Sequence, residues 1–160
     1  MRRLARLLTI VTFVVLGVIL LLMAGTGLRA SVTAADAQPA SADLTAFDTI
    51  TGAILSGDMG SDQFKKVSEP DPARYELVTY RVVVKNPGIL GADWVRLKIA
   101  PSGSDVALLA TPVDIGSFGT AEVTAQLLTE AGSDKKRDIW IEYYILGSRK
   151  SATAVWSENG

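Results

Sequence analysis

From residue 75 onward the chain alternates, apolar then polar, in run after run. A period of two sends successive side chains to opposite faces of a strand; a helix repeats at 3.6. In "YELVTYRVVVK" (75–85) Val78, Tyr80, Val82 and Val84 share one face. "DWVRLKIA" (93–100) sets Val95, Leu97 and Ile99 against Trp94, Arg96 and Lys98. "TAEVTAQLL" (120–128) sets Ala121, Val123, Ala125 and Leu127 against threonines, Glu122 and Gln126. "DIWIEYYIL" (138–146) sets Ile139, Ile141, Tyr143 and Ile145 against Trp140, Glu142 and Tyr144. "AFDTITGAIL" (46–55), "DVALLA" (105–110) and "SATAVW" (151–156) are further candidate strands. "AEVTAQLLTEA" also has a helix-like composition; its alternation and the preceding Gly-Ser-Phe-Gly favour a strand. The expectation is an all-β domain over residues 44–160, an antiparallel sandwich of about seven strands with one face of each buried. Asn86-Pro87-Gly88 fits the turn between two of them, since proline presets one central φ and glycine accepts a positive one.

The N-terminus follows another rule. Arg2, Arg3 and Arg6 precede residues 7–28, which hold no charge, and Arg29 closes the run. As a continuous helix, 22 residues would measure about 33 Å, against a hydrocarbon core of about 30 Å. The expectation is therefore one N-terminal transmembrane helix over residues 1–29, in contact with the lipid bilayer through 7–28. The arginines keep its N-terminus cytoplasmic and the later domain extracytoplasmic. The alternative is a cleaved leader and a secreted domain; two small-residue sites, Val32-Thr33-Ala34 and Ala35-Asp36-Ala37, follow the run. Arginines directly before the run, and no acidic residue early in it, set it apart from prepilin-type helices. Residues 30–43, rich in Ala, Ser and Asp, read as a flexible linker.

The chain has no cysteine and no histidine, which removes disulfides, thiolate chemistry, the commonest general base and the commonest metal ligands. Beyond Arg29 lie 12 basic and all 17 acidic residues, a net −5 that argues against nucleic acid and against an anionic membrane surface as main partners.

"YRVVVKNPG" (80–88), a further strand, "VDIGSFGTAEVTAQL" (113–127) and a closing hairpin resemble the bacterial immunoglobulin-like surface modules of the cell-adhesion-related CARDB type. The likeness covers roughly residues 77–156. Ile115-Gly116-Ser117-Phe118-Gly119 stands where that family has a proline-containing turn, and lacks the proline. The resemblance implies an immunoglobulin-like sandwich with an interaction or structural role, and transfers no catalytic residue.

No catalytic, cofactor-binding or metal residue is expected, and the chain is not read as an enzyme. The carboxylate pairs Asp134 with Asp138 and Asp58 with Asp62 sit in expected loops with no apolar surround to raise a pKa. "SGDMGSDQ" (56–63) offers Asp58 and Asp62 around Gly60, short of a full calcium loop, and opens a long connection over 57–74. "SDKKRD" (133–138) reads as a charged, solvated hairpin tip or a contact for an acidic partner or phospholipid heads. The sharpest candidate is a binding face. In immunoglobulin order the 93–100 and 138–146 strands are neighbours, bringing Trp94, Arg96 and Lys98 beside Trp140, Glu142 and Tyr144. The same residues could instead shield the sheet and pair across strands, or, with the register inverted, place both tryptophans in the core. The expected function is protein–protein interaction or envelope assembly from a membrane anchor, the alternative a carbohydrate-binding module that stacks sugars on these aromatics.

Overall fold

The computed structural model describes residues 2–24, 27–56 and 71–157. In chain order they form α1 (Arg2–Ala24), β1 (Arg29–Pro39), α2 (Leu44–Ser56), β2 (Tyr75–Lys85), β3 (Ala92–Ile99), β4 (Asp105–Ala110), β5 (Val113–Ile115), β6 (Thr120–Glu130), β7 (Ile139–Ile145) and β8 (Ser148–Trp156). The eight strands make one sheet in the order β4-β6-β2-β1-β8-β7-β3-β5.

This is not the expected seven-stranded antiparallel immunoglobulin-like sandwich. β1 pairs antiparallel with β2 and parallel with β8, and so joins the halves into one mixed sheet. The sheet curls until β3 and β5 lie against β6, and the apolar faces of all eight strands close on one core. The alternating residues fill it: Val78, Tyr80, Val82, Val84, Val95, Leu97, Val123, Leu127 and Ile141 are fully buried.

β1 lies in the expected linker. Ala30 and Val32 point into the core, then a bulge between Val32 and Ala34 shifts the register. Its later residues, "AADAQP", are small, polar or proline and depleted in strands generally, so no apolar alternation marks it. Both candidate cleavage sites fall inside this strand. Cutting at either would remove most of the element that holds the two halves together.

The expected first strand, 46–55, is α2. Phe47, Ile50 and Thr51 recur at helical spacing and are buried, against Tyr75, Leu77, Val106 and Leu128 for the two apolar ones. Asp43 caps the helix, its Oδ1 accepting the Ala46 N–H at 3.0 Å.

The apolar N-terminal run is not one helix either. α1 stops at Ala24, while Leu28 is buried in the sheet core and its N–H donates to the Tyr143 hydroxyl. The uncharged part of α1, residues 7–24, measures about 27 Å at about 1.5 Å per residue, less than a hydrocarbon core of roughly 30 Å. Among the described residues no helix is long and apolar enough to cross a membrane, which corrects the expected transmembrane helix.

The sheet has two ends. Toward the near end, where α1 joins, point the starts of β1, β3, β6 and β8 and the ends of β2, β5 and β7; β8 is staggered, its last residues Ala154–Trp156 lying beside Ala30–Val32, so its start projects past that of β1. The far end carries α2, the 100–105 turn and the 131–138 loop.

Candidate functional site

β3 and β7 are antiparallel neighbours, with Arg96 opposite Glu142 and Lys98 opposite Trp140. β8 continues this face, Arg149 lying opposite Tyr144 and Ser151 opposite Glu142. The sheet thus brings the six candidate residues together, five by alternation and Trp94 by way of an irregularity in β3, with neither Trp94 nor Trp140 in the core. Its charges are largely committed to one another. Glu142 is 3% exposed and sits between two guanidinium groups. Arg96 donates from Nε at 3.2 Å and from Nη2 at 2.9 Å to Oε1, while Arg149 pairs with Oε2. Burial works against the ionised carboxyl, but the two arginines outweigh it and hold the Glu142 pKa below its ordinary value. The Arg96 guanidinium also lies over the Trp94 ring, 5.8 Å from its centroid.

Trp94 departs from the alternation. β3 is irregular between Asp93 and Arg96, where Trp94 takes a φ of 55° and its N–H donates to Asp114 Oδ1 at 2.8 Å. The indole is 55% exposed, while Trp140, Tyr144 and Lys98 are half-buried. The face therefore offers aromatic surface over a base of paired charges that stays net positive.

The "SDKKRD" segment is no free tip. Arg137 turns inward, its side chain 6% exposed, and makes a bidentate pair with Asp105, from Nε to Oδ2 at 3.0 Å and Nη2 to Oδ1 at 2.8 Å. It also donates to Ser102 Oγ and to the carbonyls of Asp134 and Lys136. Asp105 further accepts from Thr129 Oγ1 and from the Ser102 N–H. Burial raises the Asp105 pKa; the bonds from Arg137, Ser102 and Thr129 more than reverse this, so the group stays ionised below the usual carboxylate range. Tyr80 donates to the Lys135 carbonyl at 2.7 Å and Trp156 Nε1 to the Arg137 carbonyl at 3.1 Å. The two rings meet edge to face at 6.4 Å. Burial pushes the Tyr80 hydroxyl up to about 12. An open depression of about 640 Å³ beside this knot is lined by Pro101, Ser102, Ser104, Asp134, Lys136 and Asp138 among others. The buried cation beside it, Arg137, is spent on Asp105. Nothing in a run of alternating charges announced Arg137; only an acid buried at a strand start, Asp105, calls for such a partner.

Asn86 was read as a turn residue. It is 2% exposed and clasps two turns, donating from Nδ2 to the carbonyls of Leu90 at 2.7 Å and Gly116 at 2.9 Å while Oδ1 accepts the Gly88 N–H. The Phe118 N–H reaches the Gly88 carbonyl. Gly119 is required beside it, since a Cβ there would stand 2.9 Å from the Gly116 carbonyl oxygen.

Asp58, Asp62 and the connection from 57 to 70 lie outside the described residues, and with them the calcium-like "SGDMGSDQ" segment. Among the described residues no group of three or more His, Cys, Asp or Glu is placed to hold a metal ion.

No family model matches the chain, and no curated protein is similar to it.

Proposed function

We propose that this chain is a binding or structural module held at a lipid bilayer by α1, which presents the curled sheet in the adjoining water to a protein partner or an envelope assembly. One observation carries the reading. Val14, Val15, Leu16, Val18, Ile19 and Leu20 are all exposed, as are Leu7, Leu8, Ile10, Val11 and Phe13 before them. Successive residues of a helix step about 100° around its axis, so α1 is apolar on every side, and neither core cluster of the sheet takes in any of these residues. A helix of that kind requires an apolar surround, and a bilayer supplies one without a dedicated partner. Arg2, Arg3 and Arg6 suit the headgroup region at its start. The aromatic face of β3 and β7 is the surface we assign to the protein partner.

The test is fractionation of cells expressing the full chain, with the mass of the recovered protein. The reading expects the intact mass in the membrane pool, retained through high-salt and carbonate washes. A soluble protein whose mass begins between Ala24 and Arg29 would overturn it and make the sheet a free secreted binder.

A further inference from the structure

The near end of the sheet breaks a local rule three times. Among the described residues Trp94, Phe118 and Leu146 are the only non-glycine residues with positive φ, at 55°, 55° and 49°. Such a backbone suits glycine or asparagine and strains a bulky side chain. Leu146 and Gly147 (φ 76°) are the two residues between β7 and β8, where a two-residue hairpin favours Asn-Gly. Yet these residues are large, apolar and 55%, 70% and 80% exposed respectively. Ile89, in the loop clasped by Asn86, is a fourth, 50% exposed. Neither folding nor solubility asks for these side chains here. Residues that break a local rule without a gain in packing mark function.

Their placement says what covers them. All four lie toward the end of the sheet from which α1 departs, the Leu146 hairpin projecting past the start of β1, since Ala30 stands beside Ala154; α1 ends at Ala24 while β1 begins at Arg29. Four intervening residues reach at most about 18 Å. Whatever medium takes α1 therefore lies within reach of this end. The neighbouring charges fit a headgroup layer: Arg29, Lys85, Arg149 and Lys150 are exposed here, Arg149 also pairing with Glu142, and of the acids near this end, Asp93, Asp114 and Glu122, the second is bonded to the Trp94 N–H. Most of the described acidic residues that make the domain net negative lie elsewhere, toward the far end.

We infer that the near end is a lipid-docking rim: Ile89, Phe118 and Leu146 insert into the interface of the bilayer that holds α1, and this seats the sheet end-on against the membrane. Trp94 stands at the border of this rim and the outer face of β3, at the depth favoured by interfacial aromatics. The inference rests on the bilayer reading of α1.

The absence of cysteine permits single labels. Full-length Ser148→Cys and Lys135→Cys proteins, one site at each end and both exposed, would carry an environment-sensitive fluorophore. They would be reconstituted in mixed phosphatidylcholine and phosphatidylglycerol vesicles. We expect both to float with the vesicles. The label at 148 should be quenched by lipid-borne nitroxide and shielded several-fold from iodide, and the label at 135 should behave oppositely. Adding Phe118→Asn and Leu146→Asn should bring the label at 148 to the level of that at 135, without loss of flotation and without lowering the unfolding midpoint. Equal iodide access at both sites in floating protein would overturn the rim and leave the α1 reading standing. Failure to float would overturn both.

Discussion

The two ends of one sheet solve the problem of loop closure in opposite ways. At the far end the loops are drawn inward. Arg137 and Asp105 are buried as an ion pair with every facing group bonded, Tyr80 and Trp156 tie down the loop carbonyls, and α2 covers Leu77 and Leu128. At the near end Asn86 is drawn in, and the turns it fastens hold Phe118 and Ile89 out into solvent, with Leu146 at the adjacent hairpin. The first arrangement commits its buried polar groups to the fold. The second keeps apolar side chains where the fold gains nothing from them.

That contrast predicts unequal costs. Arg137→Ala leaves the Asp105 carboxylate buried without its partner, and breaking such a pair costs about 3–5 kcal/mol. Urea unfolding of the full chain should show the midpoint falling accordingly, the largest single effect we expect. A loss below about 1 kcal/mol would mean the pair is solvated, and the far end would then be no more locked than the near one. Asn86→Ala leaves two carbonyls and the Gly88 N–H unbonded at a buried site, for about 1–3 kcal/mol. The same titration measures it. A cost equal to that of Arg137→Ala would erase the distinction between the ends.

The far end also carries the pH dependence. The folded pKa of Asp105 lies below its unfolded value, as does that of Glu142 on the outer face. The folded state therefore binds fewer protons in that window. Their contribution is complete above an unfolded pKa of about 4 and is lost as pH falls through the folded values. Tyr80 has the reverse sign: its contribution is complete below its unfolded pKa of 10.0 and is lost as pH rises through about 12. Tyr80→Phe should flatten the alkaline limb of a stability–pH curve and cost about 1 kcal/mol at neutral pH for the lost bond to the Lys135 carbonyl. An alkaline limb as steep as before would remove Tyr80 from this role.

The alternation made β2, β3, β6, β7 and β8 legible, because half-buried strands on one curled sheet need nothing more than period two. β1 was not legible. A strand paired on both sides takes its stability from its neighbours, so Ala, Asp and Gln suffice where an isolated run would need β-branched residues. With β1 hidden, the parallel pairing that fuses the sheet was hidden too. α2 was misread because Phe47, Ile50 and Thr51 fit a helix, while intervening Thr49 and Gly52 resemble a strand's polar face. The juxtaposition of β3 and β7 followed from alternation and order, but the clamp on Glu142 needs Arg149, which lies on β8 before the alternating run 151–156. Neither Arg137 nor Leu146 carried a signal in sequence: one is an ordinary charge until Asp105 is buried beside it, the other an ordinary leucine until its φ is known.

The smallest effect has the opposite sign and discriminates best. Leu146→Asn places before Gly147 the residue that a hairpin with two positive φ values favours. A left-handed backbone costs a bulky residue roughly 1–2 kcal/mol, and the 80% exposed leucine has little packing to lose. The variant should therefore gain about 0.5–1 kcal/mol in urea unfolding in water, within the range of other substitutions that fit their backbone better. The same protein should hold its near end less closely against vesicles. Stability gained together with docking lost would show that leucine stands at this turn in spite of the fold. Stability lost would show that Leu146 packs against its own domain in solution, and the near end would then be closed as the far end is, by contacts within the chain.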